Sequence, residues 1–244
     1  MRLAFALVLI AVLASIACGN VIARKYEYEE EVFLDLDGSA TVYVNASVPA
    51  LVSLRGVKLP VDPSARLDRQ AVRDLYQSPV AHVASVTTSR REGRRYVHLR
   101  LDVADIRRLG ESPPFAWSTY AYREADGHYE FSQTIGASAA QSSGADLSKQ
   151  AGWDGTELVA VRLHLPSVIT FHNSPSKRTE RGNIVVWEQP LAERQKGTPL
   201  EIVARMETQS ILFRTLALFG AMAVLVIFTF IAVIWYVRSR KQSA

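Results

Sequence analysis

The stretch Val32-Phe33-Leu34-Asp35-Leu36-Asp37-Gly38-Ser39-Ala40-Thr41-Val42-Tyr43-Val44-Asn45-Ala46-Ser47-Val48 decides the fold. In an extended chain successive side chains point to opposite faces, so Val32, Leu34 and Leu36 share one face and Ala40, Val42, Val44, Ala46 and Val48 share the next. Asp37-Gly38 between them supplies the backbone freedom of a tight turn. The reading is a hairpin with one buried face.

Downstream, Asp62 followed by Pro63 has the form of a helix cap with proline in the first turn. Leu67, Ala71, Val72 and Leu75 then make one apolar stripe, which predicts a helix to about Tyr76. Two more hairpins follow. Residues 82–89 and 96–103 flank the turn Arg90-Arg91-Glu92-Gly93-Arg94-Arg95, and residues 115–124 and 129–135 flank Asp126-Gly127, with a short helical candidate at 104–109 between them. Residues 136–152, rich in Ala, Ser, Gln and Gly, are expected as a loop with one helical turn at most. Residues 158–165, 168–171, 184–187 and 200–206 are more continuously apolar and read as the centre of the sheet, with a short helix at 191–196 ended by Gly197. The fold class is α+β, an antiparallel β-sheet with one or two helices packed on one face.

The two ends of the chain fix its expected location. Residues 215–237 carry no charge over 23 positions; as a helix they reach ~34 Å, enough for a hydrocarbon core of ~30 Å. Trp235 and Tyr236 stand at one end of this run, followed by Arg238, Arg240 and Lys241. Aromatic rings favour the headgroup level and basic residues the cytoplasmic side, so 211–237 is read as a single transmembrane helix and 238–244 as a cytoplasmic tail. At the other end, Arg2 precedes an apolar run over residues 3–17, which is short for a span and reads as a signal peptide, residues 1–17. Two readings of Cys18, the one cysteine of the chain, stand side by side. Ser15 and Ala17 suit ordinary signal cleavage, while Ser15-Ile16-Ala17-Cys18 resembles a lipobox, in which the cysteine becomes the acylated N-terminus. Both leave residues 18–210 as an extracytoplasmic domain, at the cytoplasmic (inner) membrane of a bacterium. With one cysteine it has no internal disulfide, so its core alone must hold it.

Charge excludes one class of partner. Of 28 Lys and Arg, five (Arg2, Arg214, Arg238, Arg240, Lys241) flank the apolar segments, which leaves 23 against 24 Asp and Glu. The ectodomain is close to neutral, and a general nucleic-acid-binding role loses its electrostatic basis.

The chemical inventory is short. The five histidines (82, 98, 128, 164, 172) form no metal-binding spacing, and no nucleophile elbow is present, so no metal, cofactor or catalytic residue is expected. His164 and His172 bracket two strands; they read first as structural, and second as a pocket with Glu157 or Glu188. Glu29-Glu30-Glu31 reads as a solvated strand edge. The quartet Arg90, Arg91, Arg94 and Arg95 reads as a solvated hairpin tip or as an anionic-ligand contact, because guanidinium forks suit phosphate and carboxylate. Trp117, Trp153 and Trp187 read as core residues, with a ligand cavity as the second reading.

The lipobox-like N-terminus, the Asp37-Gly38-Ser39 hairpin, the strand entry Gly182-Asn183-Ile184-Val185-Val186-Trp187 and the single C-terminal span with a basic tail together resemble the LppM-like bacterial membrane lipoproteins. The resemblance implies an α+β domain of lipid-binding type connected with envelope glycolipids, with membrane lipids as partners. The expected function is thus a non-enzymatic envelope protein that binds or presents a lipid or glycolipid. The alternative is a protein-interaction or scaffold module with an envelope protein partner, in which Gly220 and Ala221 offer a small-residue patch for helix packing.

Overall fold

The computed structural model describes residues 25–136 and 144–241. The signal segment and Cys18 lie outside the described residues. Among the described residues ten strands form two sheets. β1 (Tyr26–Leu34), β2 (Ala40–Ser47), β3 (Ala81–Arg91), β4 (Arg94–Val103), β7 (Leu158–His164) and β9 (Ile184–Pro190) make a six-stranded sheet in the order β3-β4-β2-β1-β7-β9. β5 (Ser118–Ala125), β6 (His128–Ile135), β8 (Ser167–His172) and β10 (Leu200–Ser210) make a four-stranded sheet in the order β5-β6-β10-β8. All neighbours are antiparallel except β1 and β7, which run parallel, so the larger sheet is mixed. The α+β class holds. The interior strands of the later half are β7 and β10, whereas β8 and β9 are edges.

The alternation of the opening hairpin sets the core. Tyr28, Val32 and Leu34 of β1 are buried together with Ala40, Val42, Val44 and Ala46 of β2, and in the same cluster lie Phe131, Ile135, Ile202, Ala204 and Met206 of the smaller sheet. The cover over the larger sheet is therefore mainly a second sheet. Its helical part is α1 (Val48–Arg55), which continues directly from β2 and was not expected. Ser47 caps α1 by accepting a hydrogen bond from the Ala50 backbone at 3.2 Å, Pro49 sits in its first turn, and Gly56 ends it in the left-handed conformation at φ 64°. Every residue of α1 except Val52 is buried.

The second helix begins later than predicted. Asp62 accepts hydrogen bonds from the backbone and hydroxyl of Ser64, making a local turn, and α2 (Arg69–Tyr76) is capped instead by Asp68. A six-residue 3₁₀ turn at Ile106–Glu111 stands where the short helical candidate was expected. The two short hairpins close as predicted on glycine: Glu92-Gly93 and Asp126-Gly127 both have positive φ, 50° and 75°, and 52° and 74°. These are two-residue type I′ values. α3 (Gly144–Ala151) and α4 (Leu191–Gln195) complete the domain.

β10 then passes straight into α5 (Ile211–Lys241), with no residue between. An 18-residue window within Ile211–Trp235 has a mean hydropathy of 2.8 and none of it is buried, so among the described residues there is one candidate membrane-spanning helix. Thr215 and Thr229 return their hydroxyls to the carbonyls of Ile211 and Leu225, both at 2.8 Å, which leaves their donors satisfied in an apolar medium.

Candidate functional site

Three places carry chemistry: the membrane junction, a buried polar cluster between the sheets, and the arginine-rich tip of the β3–β4 hairpin.

At the junction the domain is stitched to the helix. The Ile211 backbone N–H donates to the Pro166 carbonyl at 2.9 Å, the Ser210 hydroxyl accepts from the Phe213 backbone at 3.0 Å, and Arg214 pairs with Glu207. The corner between β7 and β8 therefore abuts the start of the helix. Strand, cap and ion pair together replace a linker.

Between the sheets lies a charge pair that the sequence reading placed in solvent. β1 is a central strand, and Glu30 shares the inward parity of Tyr28, Val32 and Leu34. Its carboxylate receives Arg55 of α1 at 2.8 Å, Tyr28 at 3.0 Å, Gln133 at 3.0 Å and Tyr120 at 3.3 Å. The Glu30 and Arg55 side chains are fully buried. Arg55 also donates to the Tyr28 hydroxyl, and its guanidinium lies over Trp117 at 3.5 Å and Tyr28 at 4.5 Å. Its Nε and Nη1, like the Tyr76 hydroxyl, have no hydrogen-bond partner among the described residues, so the aromatic faces are what they meet. Burial pushes the Tyr28, Tyr76 and Tyr120 hydroxyls up from their ordinary range. Arg194 of α4 is buried with its guanidinium 5.4 Å from the Trp117 ring, bonded to the carbonyls of Ile135, Gly136 and Thr198; burial, and secondarily the charge of Arg55, pull its pKa down to about 10. These perturbed groups face the core. Their arrangement orders two sheets and two helices around one centre.

At the hairpin tip the strands extend to Arg91 and Arg94, so the quartet belongs to the ladder, with Arg90 opposite Arg95 and Arg91 opposite Arg94. Like charges directly across a ladder repel. Each is offset by oxygen acceptors. Arg94 and Arg95 are buried rather than solvated. Arg94 pairs with Glu92 at 2.8 Å and Glu27 at 3.1 Å and reaches the Ala151 carbonyl. Arg95 donates to the Ala65 carbonyl at 2.5 Å and to that of Pro60. Arg90 reaches the Pro63 carbonyl, and Arg91 donates to Tyr26 and Tyr96. One face of the tip thus holds the 60–65 loop and the other holds β1 and α3. A signal for this was present: Arg95 falls on the same alternation face as Val97, Leu99 and Leu101.

The remaining candidates do not converge. His164 bonds Glu31 at 2.6 Å, holding that carboxyl below its ordinary range, and stacks on Phe33; His172 stands edge-on to Trp187. Glu157 caps the backbone of Asp154 and Gly155, and Glu188 accepts from Tyr26, so neither carboxylate completes a pocket with the histidines. Trp187 is in the core with its indole N–H on Asn173, Trp117 lies under Arg55, and Trp153 is half-buried elsewhere. Among the described residues no three His, Cys, Asp or Glu side chains gather as a metal site.

Fold and junction define a class: an α+β domain fused to a candidate membrane helix. No family model and no curated protein sequence matches the chain. Among solved structures, the NMR structure of the Mycobacterium tuberculosis LppM folded domain is similar to it, with a TM-score of 0.40 and 12% identity over 80% of this chain and 97% of that one. The resemblance is distant.

Proposed function

We propose that the chain is a single-pass, membrane-anchored extracytoplasmic protein of the cell envelope that binds or presents a lipid or glycolipid and performs no reaction. The observation that carries this reading is the direct passage of β10 into α5. A domain joined without a linker works where the helix is embedded, at headgroup level. The orientation follows from the basic residues Arg238, Arg240 and Lys241 beyond the helix, and from an N-terminal segment of secretory pattern. Acylation of Cys18 would pin the other end of the domain to the same membrane face. Binding is preferred to catalysis because the Tyr28, Tyr76 and Tyr120 hydroxyls, which burial pushes up, are enclosed in the core.

The test is native mass spectrometry of the full-length protein extracted from a bacterial membrane in mild detergent. A stoichiometric lipid that stays with the protein supports the reading, and a diacylglyceryl increment on a chain starting at Cys18 supports the second anchor. A protein that emerges without lipid overturns the lipid reading in favour of an interaction module. The observation favouring that module is the β8 edge, where Val168 and Phe171 are exposed.

A further inference from the structure

We propose that the groove between α2 and β3 is a binding site for a phosphate-bearing ligand. Two adjoining depressions, of about 730 and 630 Å³, meet at Arg66, Leu67 and Arg69. Arg73 lines the first; Arg90 and Arg95 line the second, together with Thr88 and Ser89. Five arginines therefore face one groove. The one acidic side chain in its lining, Asp68, is occupied as the cap of α2. Asp62, the nearby carboxylate felt by Arg95, is held by Ser64.

The arginines divide by what they already do. Arg73, Arg90 and Arg95 each donate to a backbone carbonyl and have no carboxylate partner among the described residues. The Arg95 side chain is 94% buried by its 6% relative exposure, and its Nε has no hydrogen-bond partner there. Burial, then the charge of Arg90, lowers its pKa. Arg66 and Arg69 are exposed and make no side-chain hydrogen bond or ion pair among the described residues. They are two free forks at the point where the depressions meet.

Such forks match the oxygens of phosphate in pairs, and a cleft of one sign raises the local concentration of the opposite ion. A structural explanation accounts for Arg73, Arg90 and Arg95, which hold the 60–65 loop and α2 against β3. It does not account for Arg66 and Arg69, which hold no other part of the domain by a side-chain hydrogen bond or ion pair among the described residues. The size of the groove admits a ligand whose phosphate is part of a larger polar body, such as a phosphorylated sugar or a lipid headgroup. The inference rests on the binding-module reading and is independent of the lipid named there.

In the experiment, full-length protein in phosphatidylcholine nanodiscs is titrated with inositol hexakisphosphate. It is also mixed with phosphatidylcholine vesicles with and without phosphatidylglycerol. Binding is expected in one arm or both, and Arg66→Gln/Arg69→Gln is expected to weaken it by about tenfold or more, since charge-assisted hydrogen bonds of this kind are each worth that much. These two side chains make no internal bond, so the variant keeps the fold. Response to the soluble phosphate identifies a soluble source, and response only to phosphatidylglycerol identifies a headgroup; both support the site. Absence of binding in both arms overturns it. So does unchanged binding by the double variant, or equal weakening by Arg178→Gln, an exposed arginine outside the groove. Lipid retained in mass spectrometry without any response here would overturn the groove and leave the proposed function standing.

Discussion

Replacing Arg55 by leucine strips the counter-charge from Glu30 while both side chains lie out of reach of water. The carboxylate keeps Tyr28, Tyr120 and Gln133 as donors but loses its one cation. Leaving a buried charge unpaired costs roughly 3–5 kcal/mol. For a domain of this size, at roughly 2–4 °C per kcal/mol, the melting temperature falls by about 6–20 °C. Thermal unfolding of the full-length protein in detergent, followed by tryptophan fluorescence, reads the change directly because Trp117 lies under Arg55. The decisive comparison is Glu30→Gln/Arg55→Leu. An amide keeps one oxygen to accept from Tyr120 and Gln133, turns its NH2 as a donor toward the Tyr28 hydroxyl that Arg55 has vacated, and carries no charge, so the double variant is expected to regain half or more of the loss. If it is as unstable as Arg55→Leu alone, the cost is lost packing on Trp117, and the charge argument is wrong.

Other perturbations test other parts of the frame. Gly38→Ala must hold φ near 89° and bring a methyl to 3.2 Å from the Tyr122 ring, so a loss of about 1–2 kcal/mol is expected in denaturant unfolding; an unchanged midpoint would show that the turn relaxes freely. Asp68→Ala removes the cap of α2 and is expected to cost ~1 kcal/mol by the same assay, whereas Asp62→Ala leaves the helix intact. His98 sits between Ser89 and Asn45, and burial, then the charge of Arg91, lowers its pKa. The neutral form is thus the one the fold favours: its contribution is present above the unfolded value of about 6.5 and is lost as pH falls through the folded value. NMR titration is expected to find the folded pKa below about 6.5, with Arg91→Gln moving it only part of the way back because burial remains; a value above the unfolded one would refute this.

Where local pattern and tertiary context agreed, the architecture was readable in advance. Asp-Gly and Glu-Gly turns between alternating strands, and an uncharged run ended by basic residues, need no distant information. α1 was hidden because Val48-Pro49-Ala50-Leu51-Val52-Ser53-Leu54-Arg55 is apolar on every side, so no helical stripe shows, and its valines continue the β2 pattern. The start of α2 was misplaced because Asp62-Pro63 and Asp68 offer the same local chemistry, and contacts with β3 choose between them. Glu30 could have been found: strict alternation puts it on the core face, and only its charge argued for solvent. The parallel pairing of β1 with β7 joins residues some 130 positions apart in the chain, and no short-range signal encodes it.

The register also fixes how far the arginine groove stands from the membrane junction. His164, beside the corner that meets α5, is level with Phe33, Thr41, Asp102 and His82 across the larger sheet. Arg95 lies seven positions beyond Asp102 along β4, roughly 23 Å, and β3 lies four strand spacings from β7, roughly 19 Å. The groove and the junction therefore occupy opposite corners of one sheet. A sheet standing upright on the bilayer holds the groove clear of the headgroups, where soluble or long-stemmed ligands reach it. A sheet lying against the bilayer brings the same five arginines down to anionic lipid. Added vesicles approach from solution, so both arms of the phosphate titration read a groove held clear of the nanodisc. Phosphatidylglycerol placed in the nanodisc itself reads the flat arrangement, in which it competes with inositol hexakisphosphate for the same five arginines.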